Sequence, residues 1–478
     1  MFEHENDTIA AVCTGAGGAV SIVRISGPRA LEVVRSVWRG RRLPGPDCPR
    51  VMLYGRLVSA PDAPGEPSLA VFMPAPHSFT GEDVAEIHCH GGSFAARRAL
   101  RLALQAGARL AQNGEFTRRA FLNGKLDLTQ AEAVLDLINA GSERAGLLAE
   151  RQLNGAVGSL VREIRAEVVH LLSECESRLD FSEEDLDWMP EEAFRDAAAA
   201  LRDRARELAL TARAGILIRD GVSLVIAGPP NAGKSSLLNR LLGYERAIVT
   251  PIPGTTRDTL EESVSIGGVG FRITDTAGLR DAEAADPVEA LGMKRSRESV
   301  GGADVVLWLL DASETGDALR DRLAEMELAR SRTHAKFIPC WNKMDAAGLA
   351  PDELDRVVAE FMPPADPAAK TALPAFEYIS AKTGDGLDRL RDRLERTVWD
   401  GLPAASQSGG AAVSERHAAL LEQAADRLGH TADNAMAGSW ELAGSSLRTA
   451  AELVGCITGE TATPDVLDEI FARFCIGK

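Results

Sequence analysis

The sequence predicts a multidomain fold: an α+β N-terminal domain, an all-α domain in two separate segments, and an α/β domain inserted between those segments. Three observations predict it. At 478 residues the chain is too long for one hydrophobic core, and length alone suggests about three domains. Residues 220–385 alternate short apolar runs with helical stretches, the pattern of a doubly wound, mainly parallel sheet. Helix-rich sequence flanks that region on both sides.

Residues 1–125 carry β-type runs at Val20 to Ile25, Val51 to Val58, Leu69 to Met73 and Val84 to His88, with a helical stretch at Phe94 to Gln105. Dense glycine and proline, as in Pro61 to Pro67, marks this as an α+β domain. Residues 126–219 form the first helical segment: Gln130 to Leu137, Arg162 to Leu179 and Phe194 to Ala212 are rich in Ala, Leu, Glu and Arg. In residues 220–385 the buried strands are Ser223 to Ala227, Phe271 to Thr274, Val305 to Leu310, Lys336 to Cys340 and Phe376 to Ile379. Residues 386–478 complete the helical domain after a loop at Pro403 to Gly410.

Composition is that of a globular protein, with 45% hydrophobic and 26% charged residues. A net charge of −17 argues against a chain that holds nucleic acid by long-range attraction alone. The basic clusters Arg39-Gly40-Arg41-Arg42 and Arg97-Arg98 with Arg101 read, each on its own, as solvated faces. Seven cysteines without a paired spacing point to reduced thiols. His88-Cys89-His90 lacks a second ligand pair and reads as structural. The acidic start Met1-Phe2-Glu3-His4-Glu5 has no signal-peptide core, and no apolar run approaches the ~20 residues that span a bilayer. The expectation is a cytoplasmic protein without membrane contact.

Gly228-Pro229-Pro230-Asn231-Ala232-Gly233-Lys234-Ser235 fits the phosphate-binding loop G-x-x-x-x-G-K-S, between a strand and a helical stretch opening at Ser236. Backbone N–H groups there curl around phosphate oxygens; Lys234 reaches the β- and γ-phosphates, and the Ser235 hydroxyl ligates Mg²⁺. Asp275-Thr276-Ala277-Gly278 ends the next strand, where a carboxylate reaches Mg²⁺ through water and the Gly278 N–H senses a γ-phosphate. Asn342-Lys343-Met344-Asp345 resembles the guanine motif N-K-x-D: Asp345 accepts from N1 and the exocyclic amine, donors that adenine does not offer. Ser380-Ala381-Lys382 resembles the segment that closes over the base. Order and spacing together predict GTP. Thr256, within Pro253-Gly254-Thr255-Thr256, is assigned as the second Mg²⁺-ligating hydroxyl. Leu279 stands where Ras-like enzymes carry a water-orienting glutamine, so catalytic help must come from elsewhere.

The whole chain resembles the MnmE (TrmE) family of tRNA-modification GTPases. The terminal Phe474-Cys475-Ile476-Gly477-Lys478 carries the resemblance most specifically, supported by Ser78-Phe79-Thr80-Gly81-Glu82-Asp83, His90-Gly91-Gly92 and Gly114-Glu115-Phe116-Thr117. It implies a tetrahydrofolate-binding N-terminal domain that forms a homodimer, a discontinuous helical domain and an inserted P-loop G domain. It also implies modification at C5 of the wobble uridine of certain tRNAs. The added aminomethyl or carboxymethylaminomethyl group is made with a flavin-dependent (FAD) partner, MnmG, and a one-carbon unit from 5-formyltetrahydrofolate or a related folate.

Carried over by motif, the resemblance gives Arg24, Glu86, Lys125 and Lys478 as folate contacts and Cys475 as a functional thiol. It gives Asn231, with Thr250, Ile252 and Thr255, as a K⁺ site that takes the place of an arginine finger. Thr250, Pro251, Ile252, Pro253, Gly254, Thr255 and Thr256 then line the nucleotide together with Asn231, Ala232, Gly233, Lys234, Ser235 and Ser236. Glu289 falls at the family's water-orienting carboxylate, on a helix expected over Pro287 to Ser296. Two G domains are expected to meet face to face. The alternative is a regulatory or ribosome-assembly GTPase switch, which would share the G motifs but not the Cys-Ile-Gly-Lys tail.

Overall fold

Period-two alternation along Val20–Ser26 organises the N-terminal sheet: Val23 and Ile25 are fully buried, while Arg24 between them points to the opposite face. The structure, a computed structural model, describes residues 7–15, 18–60, 64–181, 187–244, 261–275, 302–361, 375–400 and 412–478. Its contacts divide the chain into two compact units, one of Met1–Leu135, Glu150–Ala209 and Arg416–Lys478, the other of Asp136–Ala149 and Leu210–Glu415.

The first unit opens with β1 (Ile9–Val12), β2 (Val20–Ser26), α1 (Ala30–Val37), β3 (Trp38–Gly40), β4 (Leu53–Leu57), β5 (Glu66–Met73) and β6 (Val84–His90). Next come α2 (Ser93–Gln105), β7 (Arg109–Leu110) and α3 (Glu115–Leu122). The sheet order is β3-β4-β5-β6-β2-β1-β7, antiparallel except for the β1–β7 pair. Helices α1 and α2 cover one face, where Val33, Val34, Ala99 and Ala103 meet Val23, Ile25, Phe72 and Ile87. On the other face Ile9, Ala11, Ala111 and Phe116 form a small separate core.

Helical sequence continues through α4 (Leu128–Asn139), α5 (Glu143–Leu153), α6 (Ala156–Asp180), α7 (Glu191–Leu210) and α8 (Ala212–Arg219). The helix-rich stretch Phe194 to Ala212 lies almost wholly in α7, and α8 begins at Ala212 after Thr211.

The second unit is built on β8 (Val222–Ala227), α9 (Lys234–Tyr244), β9 (Glu261–Ile266), β10 (Val269–Asp275), β11 (Val305–Asp311), α10 (Gly316–Arg330) and β12 (Lys336–Asn342). It ends with α11 (Pro351–Phe361), β13 (Glu377–Tyr378) and α12 (Leu387–Trp399). Its sheet runs β13-β12-β11-β8-β10-β9, parallel except where β9 lies antiparallel on β10. Every residue of β11 is buried, as a central strand covered on both faces requires. Val305, Leu307 and Leu309 face Leu237, Leu241, Leu390 and Leu394 of α9 and α12. Val306 and Leu310 face Leu319, Leu323, Leu354 and Val358 of α10 and α11. The phosphate loop and the guanine motifs therefore stand together at the carboxyl ends of the parallel strands, where such sheets bind ligands.

The chain then returns to the first unit with α13 (Glu415–Met436), α14 (Trp440–Thr458) and α15 (Pro464–Ala472). Long helix α6 lies along α14. Leu467, Ile470, Phe471 and Phe474 pack with Leu128 and Ala131 of α4. A buried ion cluster fastens the returning segment: Glu132 meets His417 Nε2 at 2.6 Å and Arg416 Nε at 2.8 Å. Burial opposes ionisation of Glu132, but His417 and Arg416 outweigh it and lower the carboxyl to about 2. Among the described residues no helix is long and apolar enough to cross a membrane.

Candidate functional site

Strand β8 delivers the chain into a loop whose shape is set by backbone dihedrals. Gly228 (φ 136°) and Gly233 (φ 93°) adopt conformations that favour glycine, and Asn231 is left-handed at φ 63°. Space enforces the same choice. A Cβ at Gly228 would lie 2.3 Å from the Leu309 carbonyl oxygen, and one at Gly233 would lie 2.2 Å from Asn342 Nδ2. Lys234 opens α9, and its Nζ donates to the carbonyls of Gly228 at 2.9 Å and Pro229 at 2.8 Å. The ammonium thus sits over the curl of the loop. The loop leads straight into the N-terminal end of α9, which begins Lys234-Ser235-Ser236, and such a helix end is suited to anionic oxygens. Asp275 ends β10 in parallel register with Ile226 of β8, which brings the end of that strand beside the start of the loop.

The base side of the site is held by one buried amide. Asn342, 1% exposed, donates through Nδ2 to the Ala232 carbonyl at 2.7 Å and accepts through Oδ1 from the Ala381 N–H at 2.9 Å. It joins the phosphate loop to the Ser380-Ala381-Lys382 segment. Asp345 Oδ1 accepts from Ser380 Oγ at 2.7 Å, and Lys382 Nζ lies 3.6 Å from Oδ2. The Ser380 hydroxyl, followed by the Lys382 charge, holds the Asp345 carboxyl below its ordinary range, so it is an obligate acceptor at neutral pH. Lys343, left-handed at φ 63°, pairs its Nζ with Asp311 Oδ2 at 2.6 Å, and the Met344 N–H donates to the Ile379 carbonyl at 3.1 Å.

Thr250, Pro251, Ile252, Pro253, Gly254, Thr255, Thr256, Thr276, Ala277, Gly278 and Glu289 lie outside the described residues, as does the expected Pro287 to Ser296 helix.

In the N-terminal domain the antiparallel register opposes Arg24 to Glu86, and Arg24 Nε donates to Glu86 Oε1 at 2.9 Å. His88 Nε2 lies 3.0 Å from the other carboxylate oxygen. Burial opposes ionisation of Glu86, but His88 and Arg24 prevail and hold it below the usual carboxylate range. The Arg24 guanidinium stacks 5.2 Å from the Phe79 ring centroid and 5.7 Å from that of Phe116. The chain's last residues reach the same region. Ile476 bridges Asn113, the Phe116 N–H donates to the Lys478 backbone oxygen at 3.1 Å, and Gly477 abuts Val12 and Cys13. Burial pushes the Cys13 thiol up against the lowering influence of the Arg24 and Lys478 charges. Lys125 Nζ donates to the Pro76 carbonyl at 3.1 Å, at the rim of the loop that carries Phe79. Cys475 is exposed.

Sequence reasoning missed several supporting groups. Arg240 donates to the carbonyls of Ala381 at 3.2 Å and Lys382 at 2.7 Å, and nothing but its place shortly past the loop, in α9, could have marked it. Arg119, 7% exposed, gathers Asp7, Glu82 and Glu115 and so fixes the loop before β6 against α3. It is one of two adjacent arginines in a helix that also carries Glu115 and Thr117, so its burial had no signal in the sequence. His88-Cys89-His90 is structural: His88 faces Glu86, Cys89 is buried, and His90 meets Glu66. Among the described residues no group of three or more His, Cys, Asp or Glu is placed to hold a metal.

Two family models match, the MnmE helical domain over residues 128–475 and the GTP-binding protein TrmE N-terminus over residues 8–125. The chain is 41% identical over 480 residues to the tRNA modification GTPase MnmE of Symbiobacterium thermophilum, covering 99% of each chain. It is 43% identical over 477 residues to the protein of that name from Roseiflexus sp., again covering 99% of each. Among solved structures, Era in complex with MgGDPNP and 16S ribosomal RNA nucleotides is 28% identical, with a TM-score of 0.29, covering 38% of this chain and 58% of that one. The G domain of the T. maritima FeoB iron transporter is 23% identical, with a TM-score of 0.26, covering 37% and 98%.

Proposed function

The chain belongs to the MnmE family of tRNA modification GTPases, and from that premise we propose that its GTP hydrolysis drives modification at C5 of the wobble uridine of certain tRNAs. The added group is aminomethyl or carboxymethylaminomethyl, made with the flavin-dependent partner MnmG and a one-carbon unit carried by tetrahydrofolate. The observation that carries the reading is the pairing of two sites in one chain. Asn342 links the phosphate loop to the base-closing segment, and the Arg24–Glu86 pair stands where the Cys-Ile-Gly-Lys tail docks.

On the GTP side, Lys234 places a cation over the phosphates and Asp345 selects guanine through its two donors. Ser235 and Thr256 would hold Mg²⁺, and Asn231 with Thr250, Ile252 and Thr255 would hold K⁺. The donor set fits: a hydroxyl in the first helical turn, the end of β10 beside the loop, and an exposed amide on a left-handed residue. Such cations supply charge stabilisation to the transferring phosphoryl group. Glu289 is assigned to orient the attacking water.

On the folate side, the donor set also fits. Glu86 offers a carboxylate to the amide-like edge of a pterin, the Phe79 ring lies against the Arg24 guanidinium that pairs with it, and Arg24, Lys125 and Lys478 suit the glutamate tail. A homodimer with G domains meeting face to face completes the reading.

The test is nucleoside analysis of tRNA from cells lacking the gene, complemented with wild type or Lys234→Ala. Restoration by wild type alone supports the proposal. Equal restoration by both would separate modification from GTP use, and unchanged nucleosides on deletion would leave a regulatory switch.

A further inference from the structure

Helix α2 presents a stripe that the GTP and folate sites do not use. Phe94, Arg97, Arg98 and Arg101 recur at the spacing of one helix face, while Ala95, Ala96, Ala99, Leu102 and Ala103 are buried against the sheet. Phe94 is 73% exposed, and Arg97 and Arg101 are exposed. The helix carries no acidic residue. Among the described residues Arg98 and Arg101 make no ion pair, and Arg97 turns only to the carbonyl and hydroxyl oxygens of Ser93, at 2.8 Å each. A protein with a net charge of −17 that leaves three arginines unneutralised beside a bare aromatic ring has a local feature of opposite sign to its whole.

We infer that the solvent face of α2 is a contact surface for tRNA, with Arg97, Arg98 and Arg101 on phosphates and Phe94 stacked on an unpaired base. The inference rests on the tRNA-modification reading and deepens it by naming where the RNA lies. Charge decides the occupant. Guanidinium groups without acidic neighbours match a phosphate backbone, and an exposed ring beside them matches single-stranded bases. A protein partner would bring acidic side chains and an apolar pocket for Phe94, and would leave the tRNA affinity of the variants unchanged.

The experiment measures tRNA affinity of the full chain as a function of salt, for wild type, for Arg97→Gln/Arg98→Gln/Arg101→Gln and for Phe94→Ala. The triple variant lowers affinity about ten-fold or more near 100 mM salt and flattens the slope of log affinity against log salt by about two to three. Phe94→Ala lowers affinity about five-fold or more with the slope unchanged. GTP hydrolysis stays at the wild-type rate in both. Wild-type affinity and slope in the triple variant overturn the inference, as does the absence of salt-dependent binding by wild type. A changed oligomeric state with unchanged RNA affinity overturns it in favour of a second copy of the chain. Nucleoside analysis of cellular tRNA judges the modification reading separately: modification lost on deletion but intact with the triple variant would sink the α2 surface alone.

Discussion

Asn342 and Ala232, 110 residues apart, are joined by a 2.7 Å hydrogen bond from the buried amide to the loop carbonyl. The same side chain accepts from Ala381, so a single residue couples the phosphate loop, the guanine motif and the base-closing segment. What it holds gives Asn342 a structural role within N-K-x-D beside its place in the nucleotide site.

Replacing Asn342 with Ala leaves the Ala232 carbonyl and the Ala381 N–H buried without their partner, at a cost of about 1–3 kcal/mol for each group. The expected outcome is a lower melting temperature and GTP affinity reduced about ten-fold or more. Calorimetry and titration with a fluorescent GTP analogue read both. Wild-type affinity in the variant would show that the loop keeps its shape without the bridge.

Asp345 and Ser380 make a prediction about base choice. The Ser380 hydroxyl, with Lys382, keeps the Asp345 carboxyl ionised, so it accepts from both guanine donors. Asp345→Asn replaces one acceptor with a donor and should shift preference from GTP toward XTP, whose C2 carries a carbonyl. Competition binding of the two nucleotides measures it. Ser380→Ala lets the carboxyl rise toward its ordinary value of 3.8, which still leaves it ionised at pH 5, so GTP binding should weaken by a similar factor at pH 5 and pH 8 through the lost positioning of the carboxylate.

These motifs were legible in the sequence because each depends on neighbours within a few residues: a strand, a tight loop, a helix start. Strands such as Val84–His90 and Val305–Asp311 were legible for the same reason. The Arg24–Glu86 pair could be reached only through family resemblance, since it depends on antiparallel register between β2 and β6, 62 residues apart. Ile9–Val12 and Arg109–Leu110 escaped notice because strands of four and two residues show too little alternation. Glu132 and His417 were invisible. Neither position is unusual until the returning helix places a histidine, 0% exposed, against a carboxylate.

That pair carries a pH prediction. The folded-state pKa of Glu132 lies below its ordinary value of 4.5, at about 2. A depressed carboxylate contributes stability that is fully present above the unfolded pKa and is lost as pH falls through the folded one. The window therefore runs from about pH 4.5 down to about pH 2, and the contribution at neutral pH is on the order of a few kcal/mol. Glu132→Gln should lower the melting temperature at pH 7 and lose less stability than wild type on acidification. Parallel melting curves from pH 6 to pH 3 for the two proteins would contradict the assignment.

Glu86 leads to a ligand prediction. With His88 and Arg24 beside it, the carboxyl stays ionised below the usual carboxylate range, ready to accept from a pterin edge. Glu86→Gln should weaken 5-formyltetrahydrofolate binding about ten-fold or more in isothermal titration while leaving GTP binding untouched. Equal folate affinity would remove Glu86 from the pocket, and parallel losses of folate and GTP binding would point to misfolding instead.

Hydrolysis rates in K⁺ and Na⁺ at matched ionic strength test the remaining arm of the G site. If Asn231 helps hold a monovalent cation against the phosphates, the wild-type rate should be about ten-fold or more higher in K⁺, the scale on which charge stabilisation of a phosphoryl group acts. The control variant has to respect the backbone. Asn231 is left-handed at φ 63°, a conformation that alanine adopts with strain and glycine without it. Asn231→Gly therefore removes the amide and keeps the loop, so GTP affinity should persist while the K⁺ advantage disappears. A K⁺ advantage that survives in Asn231→Gly would assign the cation to other groups. Equal low rates for wild type in both salts would mean that the leucine at position 279 leaves hydrolysis waiting for a different activator.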